Sequence, residues 1–355
     1  MMFGFSVYLN KDLSSENKAY INNMKQGGFQ GVFTSIQIPE DNQTKYLKRL
    51  QALASFCRNL KLDLMVDLSL NSLKNIGLDL KNFEILTQWG ITGIRLDDGF
   101  SNEMIAKLSH KIQLGINAST IGENDLMEFL ARGADEKNII AWHNYYPRLY
   151  TGLEENFFIQ KNQLFQRYGV KVQAFVAGDL PYRGPVYQGL PSLENLRREK
   201  PFVASLAMLN CYGVNQVYIG DPYLSEQSLE QFNHYKNESI ILLRGNYDKN
   251  YETDKDHYFQ EVQTCRPDIS EYVVRSQYAR ENIEGPIEPS NSVLRPRGSV
   301  TIDNHLAGRY EGEFEIVRKE LPSDVSVNVI GYIDPEDLPL INFIGSEQKY
   351  LIKWR

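Results

Sequence analysis

Gly93-Ile94-Arg95-Leu96-Asp97-Asp98-Gly99 is the stretch on which the reading of the chain turns. Ile94 and Leu96 are spaced as the inward packing of a short strand, and Arg95, Asp97 and Asp98 gather where that strand runs out. Burying a charge is costly unless it is paired, so a cation and two carboxylates at the carboxyl end of a parallel strand mark a candidate reaction site. The plainer alternative pairs Arg95 with one Asp and leaves the other to cap a helix over 101–109.

Outward from this strand, one unit repeats. Upstream the pattern predicts a strand over 3–9 and a helix over 14–26, then 31–36 with 42–60, and 62–68 with 80–89. Downstream it predicts strands over 112–116, 139–142, 170–176 and 214–219, followed by helices over 123–132, 157–168, 193–212 and 225–234. Eight strand-helix units match a (β/α)8 TIM barrel, which takes roughly 250 residues. An open doubly wound sheet is the alternative, but Leu9-Asn10-Lys11-Asp12 lacks the glycine-rich turn such sheets carry after their first strand. Past residue 236 the rhythm changes to short β runs over 240–243, 272–276, 299–302, 313–317, 325–332 and 349–352. The expectation is a catalytic barrel over 1–236 and a small all-β barrel or sandwich over 237–355.

Composition narrows the function. Of 355 residues, 42% are hydrophobic and 23% charged, enough to bury a sizeable core. A net charge of −7 argues against a nucleic-acid partner, which would need a basic footprint. The first residues lack the charged start and cleavage site of a signal peptide, and no run approaches the roughly 18 apolar residues of a membrane span. A cytoplasmic protein without a membrane partner is expected. Cys57, Cys211 and Cys265 form no metal-binding spacing and are expected to be reduced, buried thiols, with no metal and no cofactor implied.

Barrels carry their sites at the carboxyl ends of the strands. The polar residues there are Ser6, Tyr8, Thr34, Gln37, Asp67, Arg95, Asp97, Asp98, Asn117, Ser119, His143, Asn144, Tyr145 and Asp221. Carboxylates and hydrogen-bonding groups without His/Asp clusters suit sugar chemistry better than metal-assisted hydrolysis. His143 stands alone at its strand end and reads either as a hydrogen-bonded rim residue, placed to meet the substrate, or as a ligand or base. Neighbouring residues of an extended strand point opposite ways, so Asp97 shares the side of Arg95 and its catalytic partner comes from another strand. Asp67 and Asp221 are the candidates, with Asp221 also placed to cap a helix; Asp98 and Glu123 are the reserve. In the loop 178–191, Arg183 beside Gly184 is placed to present a guanidinium fork to a phosphate, or else to pair with Asp179. Arg295 and Arg297, with Arg275 and Arg280 upstream, either face an anionic substrate across the domain boundary or form a solvated face.

Taken together, Gly4-Phe5-Ser6-Val7-Tyr8-Leu9, Gly93-Ile94-Arg95-Leu96-Asp97, Arg183-Gly184-Pro185, Gly298-Ser299-Val300-Thr301-Ile302-Asp303-Asn304 and Gly308-Arg309-Tyr310-Glu311-Gly312-Glu313 resemble the bacterial 6-phospho-N-acetylmuramidase (MupG-like) family over the whole chain. The resemblance implies a TIM barrel followed by a cyclophilin-like β-barrel. It also implies cleavage of the β-1,4 bond of 6-phospho-N-acetylmuramyl-N-acetylglucosamine during recycling of cell-wall peptidoglycan. Such a substrate carries a phosphate and a lactyl carboxylate, and both suit arginine. Two other classes stay open at this point. A sugar-phosphate lyase or aldolase would need a Schiff-base lysine or a metal at a strand end, and no lysine sits there. A non-enzymatic carbohydrate-binding protein is the other.

Overall fold

The computed structural model describes residues 2–36, 43–75, 84–97, 99–251, 261–283 and 285–355. Among them, eight parallel strands close into a barrel in chain order. They are β1 (Met2–Ser6), β2 (Gly31–Ser35), β3 (Asp63–Leu68), β4 (Gly93–Leu96), β5 (Gln113–Asn117), β6 (Ile139–Trp142), β7 (Lys171–Val176) and β8 (Gln216–Ile219). β8 returns to pair with β1 from Met2↔Gln216 to Phe5↔Ile219.

Local chemistry sets the helix ends. α1 (Ser15–Gln26) begins where Ser14 and Asn17 bond reciprocally to each other's backbone N–H groups. α2 (Gln43–Asn59), α3 (Leu70–Asn75), α4 (Glu84–Trp89), α5 (Asn102–Ser109) and α6 (Glu123–Ala131) follow. α5 is capped by Ser101, whose hydroxyl accepts the Met104 N–H, so that task needs neither Asp97 nor Asp98. α7 (Glu155–Arg167) starts earlier than the sequence pattern suggests because Glu154 accepts the N–H groups of Asn156 and Phe157. The helix expected over 193–212 is broken: a short 3-10 turn at Glu194–Leu196 precedes α8 (Pro201–Asn210). Pro201 disfavours helical backbone at Lys200, so α8 can only begin afresh. Cys57 and Cys265 are buried as expected, whereas Cys211 is exposed because it sits at the solvent end of α8.

Phe33, Met65, Trp142, Phe175 and Tyr218 come from strands all around the barrel and pack on one another, so they fill its interior. Glycines make room for them: a side chain at Gly4 or Gly31 would run into the Tyr218 ring. The register Met65↔Gly93 and Asp67↔Arg95 places Arg95 on this interior side, above Met65. Ile94 and Leu96, expected to pack inward, therefore face the opposite way, toward the helical layer.

The remaining strands form a separate mixed sheet. β9 (Ile240–Tyr247), β10 (Gln263–Thr264), β11 (Val273–Arg275), β12 (Ser299–Asp303), β13 (Phe314–Val317), β14 (Val327–Ile333) and β15 (Lys349–Trp354) lie in the order β10-β15-β9-β14-β12-β13-β11. Its two outermost strands meet, with Arg266 N–H donating to Arg275 at 3.0 Å and Gln277 N–H to Thr264 at 2.8 Å. The sheet therefore curls into a small barrel. The two compact units are Met1–Leu229 and Glu230–Arg355, divided within α9 (Glu226–Glu238). The second half of α9 belongs with the sheet because buried Gln231 donates to Leu242 O at 3.0 Å and to Asp337 at 3.2 Å.

Candidate active site

The interior side of β3 and β4 delivers a charge cluster to the barrel mouth. Arg95 is 3% exposed, and its Nη1 lies 2.7 Å from Asp67 Oδ1 and 3.9 Å from Asp97 Oδ1. Nη2 donates to Asn144 Oδ1, and Ser35 Oγ donates to the other Asp67 oxygen at 3.0 Å. The two carboxylates differ in surroundings: the Asp67 side chain is 13% exposed and that of Asp97 37%. Burial pushes the Asp67 carboxyl above its ordinary range, with Asp97 reinforcing the rise and the Arg95 guanidinium opposing it. Asp98 and Gln37 fall outside the described residues.

A second network fixes the neighbouring rim. His143 is 0% exposed, so the direct substrate contact first considered for it is not available in this geometry. Asn162 Nδ2 must donate to the carbonyl of Tyr212, at 2.9 Å, which turns its Oδ1 toward His143 Nε2 at 2.7 Å. Nε2 therefore carries the proton and Nδ1 accepts from Ser119 Oγ at 3.2 Å. Burial lowers the imidazole to about 4, so it remains neutral and holds Ser119 in place. Asn117 Oδ1 accepts the Ser119 N–H at 3.0 Å and shapes the same turn.

The loop after β7 supplies the other arc of the mouth. Asp221, at the end of β8, accepts the N–H groups of Gly178, Arg183 and Leu190 at 2.9, 2.8 and 3.0 Å. Its side chain is 0% exposed, and the N–H groups it accepts belong to this loop and not to the start of α9, so it anchors the loop. Asp179 does not pair with Arg183, since its carboxylate takes the Ser225 N–H and the Ser225 and Ser228 hydroxyls. The Arg183 guanidinium lies 3.7 Å over the Tyr8 ring and donates to Tyr145 Oη at 3.0 Å. Tyr8 is itself fixed by a 2.5 Å bond to the Gly220 carbonyl, and Ser6 Oγ donates to Ile219 O at 2.8 Å. One donor of the Arg183 side chain is committed among the described residues, and the rest of its fork borders a cleft of about 960 Å³ that Tyr8, Tyr182, Tyr187 and Tyr223 also line. The cleft does not include Asp67 or Asp97. Tyr145 bridges the two arcs, because it meets Arg183 and directly follows Asn144, which holds Arg95.

Arg197 staples this rim from beneath. Its guanidinium forks onto Glu194 at 2.7 and 2.6 Å, and donates to the carbonyls of Tyr146 at 2.8 Å and Arg148 at 3.1 Å. Arg197 holds the Glu194 carboxyl down to about 2, against an ordinary 4.5. A lowered folded-state pKa adds stability above the ordinary value and loses it as pH falls from 4.5 toward 2. Glu194→Gln is expected to cost about 3 kcal/mol at pH 7, since it leaves the buried Arg197 guanidinium without its counter-charge. Urea denaturation at pH 7 and pH 3 checks this: the gap between wild type and variant should narrow at the lower pH.

Family models decide what this mouth belongs to. Residues 3–234 match the N-terminal model of the 6-phospho-N-acetylmuramidases, and residues 240–353 match the C-terminal one. The chain belongs to the 6-phospho-N-acetylmuramidase family. Its activity is accordingly that of a glycosidase, and the lyase and binding-protein readings have nothing further in their favour. A conserved Enterococcus faecalis protein of unknown function has a crystal structure that is 36% identical, with a TM-score of 0.91, covering 100% of this chain and 97% of its own. An uncharacterized Bacillus cereus protein is 26% identical, with a TM-score of 0.77 and 99% coverage of both chains. No curated protein matches significantly.

Within this muramidase the arginines of the C-terminal unit have partners of their own. Arg295 is 8% exposed and donates from Nε to Pro322 O at 2.8 Å. Arg297 donates to the carbonyls of Arg318 and Leu338 and to Asn342, at 3.2, 3.1 and 3.0 Å. These contacts tie Arg295 and Arg297 to segments 21 to 45 residues away within the same unit, whereas Arg183 borders the cleft at the barrel mouth. Sequence reasoning missed Asn162, Glu194 and Arg197. The Glu194–Arg197 spacing of three is a helical-pair signal, but the loops it ties lie far away in sequence. Among the described residues no helix is long and apolar enough to cross a membrane, and no cluster of His, Cys, Asp or Glu is suited to a metal.

Proposed function

We propose that this glycosidase cleaves the β-1,4 bond of 6-phospho-N-acetylmuramyl-N-acetylglucosamine in the cytoplasm, during recycling of cell-wall sugars, and that the barrel mouth performs the chemistry. Asp67 is the general acid and Asp97 the nucleophile or base. The observation that carries this is one guanidinium nitrogen shared by two carboxylates in unequal surroundings. Burial, which raises the Asp67 carboxyl, suits it to give a proton to the departing glycosidic oxygen. The more exposed Asp97 faces the anomeric carbon. Their nearest oxygens can be no further apart than 2.7 and 3.9 Å laid end to end. That is closer than most of the roughly 6.5–9.5 Å range of inverting pairs and admits the roughly 5–5.5 Å of retaining ones. Arg183 takes the 6-phosphate in the adjoining cleft, and the tyrosines there offer faces to the sugar rings.

Incubation of the purified protein with the phosphorylated disaccharide, with and without a chelator, tests the reading. The expected result is release of N-acetylglucosamine at the same rate in both. Elimination or carbon–carbon cleavage products, or no turnover, would reject it.

A further inference from the structure

The Gly308–Glu313 motif and the end of β12 take no part in the chemistry at the barrel mouth, yet they meet in the C-terminal unit. Thr301 pairs with Glu315, and Glu315 with Arg275, so the three side chains form one row across β12, β13 and β11. Asp303 ends β12 two residues beyond Thr301, and its N–H donates to the carbonyl of Glu313, just before β13, at 3.1 Å. Asp303, Glu313, Glu315 and Arg275 line a cavity of about 510 Å³, which Arg266, Arg280, Arg309 and Tyr310 complete.

Its polar groups are mismatched. Thr301 is 0% exposed, and its Oγ1 has no hydrogen-bond partner; Arg275 Nε is also buried without one. Among the described residues, nothing donates to the side chains of Asp303 or Glu315. Burial, reinforced by neighbouring carboxylates, pushes both up to about 7. The wall has the opposite character. Arg280 pairs with Glu313 at 3.0 Å, Arg275 with Asp268 at 2.7 Å, and Arg309 donates to Tyr310 Oη at 2.6 Å. A guanidinium has five N–H donors, so most of those on the wall are uncommitted. Arg266 likewise spends one donor on Asp268, at 3.1 Å. Carboxylates without donors on the floor and guanidiniums with donors to spare on the wall suit a ligand with hydroxyls at one end and an anion at the other. A metal is not what the floor suits, since no group of three ligating side chains is close enough among the described residues.

We propose that the C-terminal barrel carries a binding site of its own for a small hydroxyl-rich anion, a sugar phosphate or a sugar acid. The guanidiniums of Arg266, Arg275 and Arg309 hold the anion, and the Asp303 and Glu315 carboxyls accept from hydroxyls. This assignment does not depend on the roles given to Arg183, Asp67 or Asp97.

Calorimetric titration of the full chain carrying Arg183→Ala tests it, with glucose 6-phosphate, glucuronate, glucose and inorganic phosphate as probes. Either sugar anion should bind saturably and more tightly than glucose or phosphate. Arg309→Ala, at an exposed side chain, and Glu315→Gln should each weaken that binding about tenfold or more, the scale of a charge-assisted contact. No binding in the Arg183→Ala background, no effect of either substitution, or phosphate binding as tightly as the sugar phosphate overturns the proposal. Turnover of the phosphorylated disaccharide by the wild type reports separately on the barrel reading, so the two can fail independently.

Discussion

Asp97→Asn and Asp67→Asn should each lower kcat by about 10²–10⁴, the usual share of a positioned acid or base. Their residual activities should differ in kind. An aryl glycoside whose leaving group needs no proton should restore much of the rate to Asp67→Asn and none to Asp97→Asn. Because burial raises the Asp67 pKa, wild-type activity should fall as pH rises through that value, and Asp67→Asn should lose this alkaline limb. Asp67→Asn also changes the group that lies 2.7 Å from the buried Arg95 guanidinium, so its melting must be followed alongside. Asp97→Asn, at a more exposed position, provides the cleaner kinetic test. The first anomer seen by NMR should retain configuration if Asp97 is the nucleophile. Losses below about tenfold for both variants would return attention to Asp98 and Glu123.

The strands were legible because each is a β-rich run bounded by turn residues, and β4 is the clearest case. Alternation alone put Asp97 on the side of Arg95, and the adjacency of the third and fourth strands named Asp67 as a neighbour; the structure brings the three together on one nitrogen. What alternation could not supply was the opposite rim. Asn144 reaches Arg95 from just beyond β6, and the three N–H groups held by Asp221 are 31 to 43 residues away from it. Sequence marks Asp221 only as an acid at a strand end, with the same weight as Asp67. Burial separates the two: Asp67 keeps some contact with solvent, whereas Asp221 is enclosed by the backbone it organises. Arg183, Arg295 and Arg297 likewise look alike in sequence. Their partners decide which fork is open, and those partners come from segments that no local spacing predicts.

That difference is what Arg183→Lys measures. Lysine keeps the charge over the Tyr8 ring but loses the planar fork, and with it the ability to bond a phosphate while donating to Tyr145. A hydrogen bond to a charged group contributes about 1.5–3 kcal/mol, so KM for the phosphorylated disaccharide should rise about 10- to 150-fold. KM for the dephosphorylated analogue should barely move. Equal losses on both substrates would mean that Arg183 shapes the loop instead of reading the phosphate. Asp221→Asn supplies the comparison, because it loosens the loop without touching the fork. A neutral amide offers the Gly178, Arg183 and Leu190 N–H groups a single oxygen where the carboxylate offers two. Its loss should therefore be shared by both substrates, and the ratio of the two KM values separates contact from support.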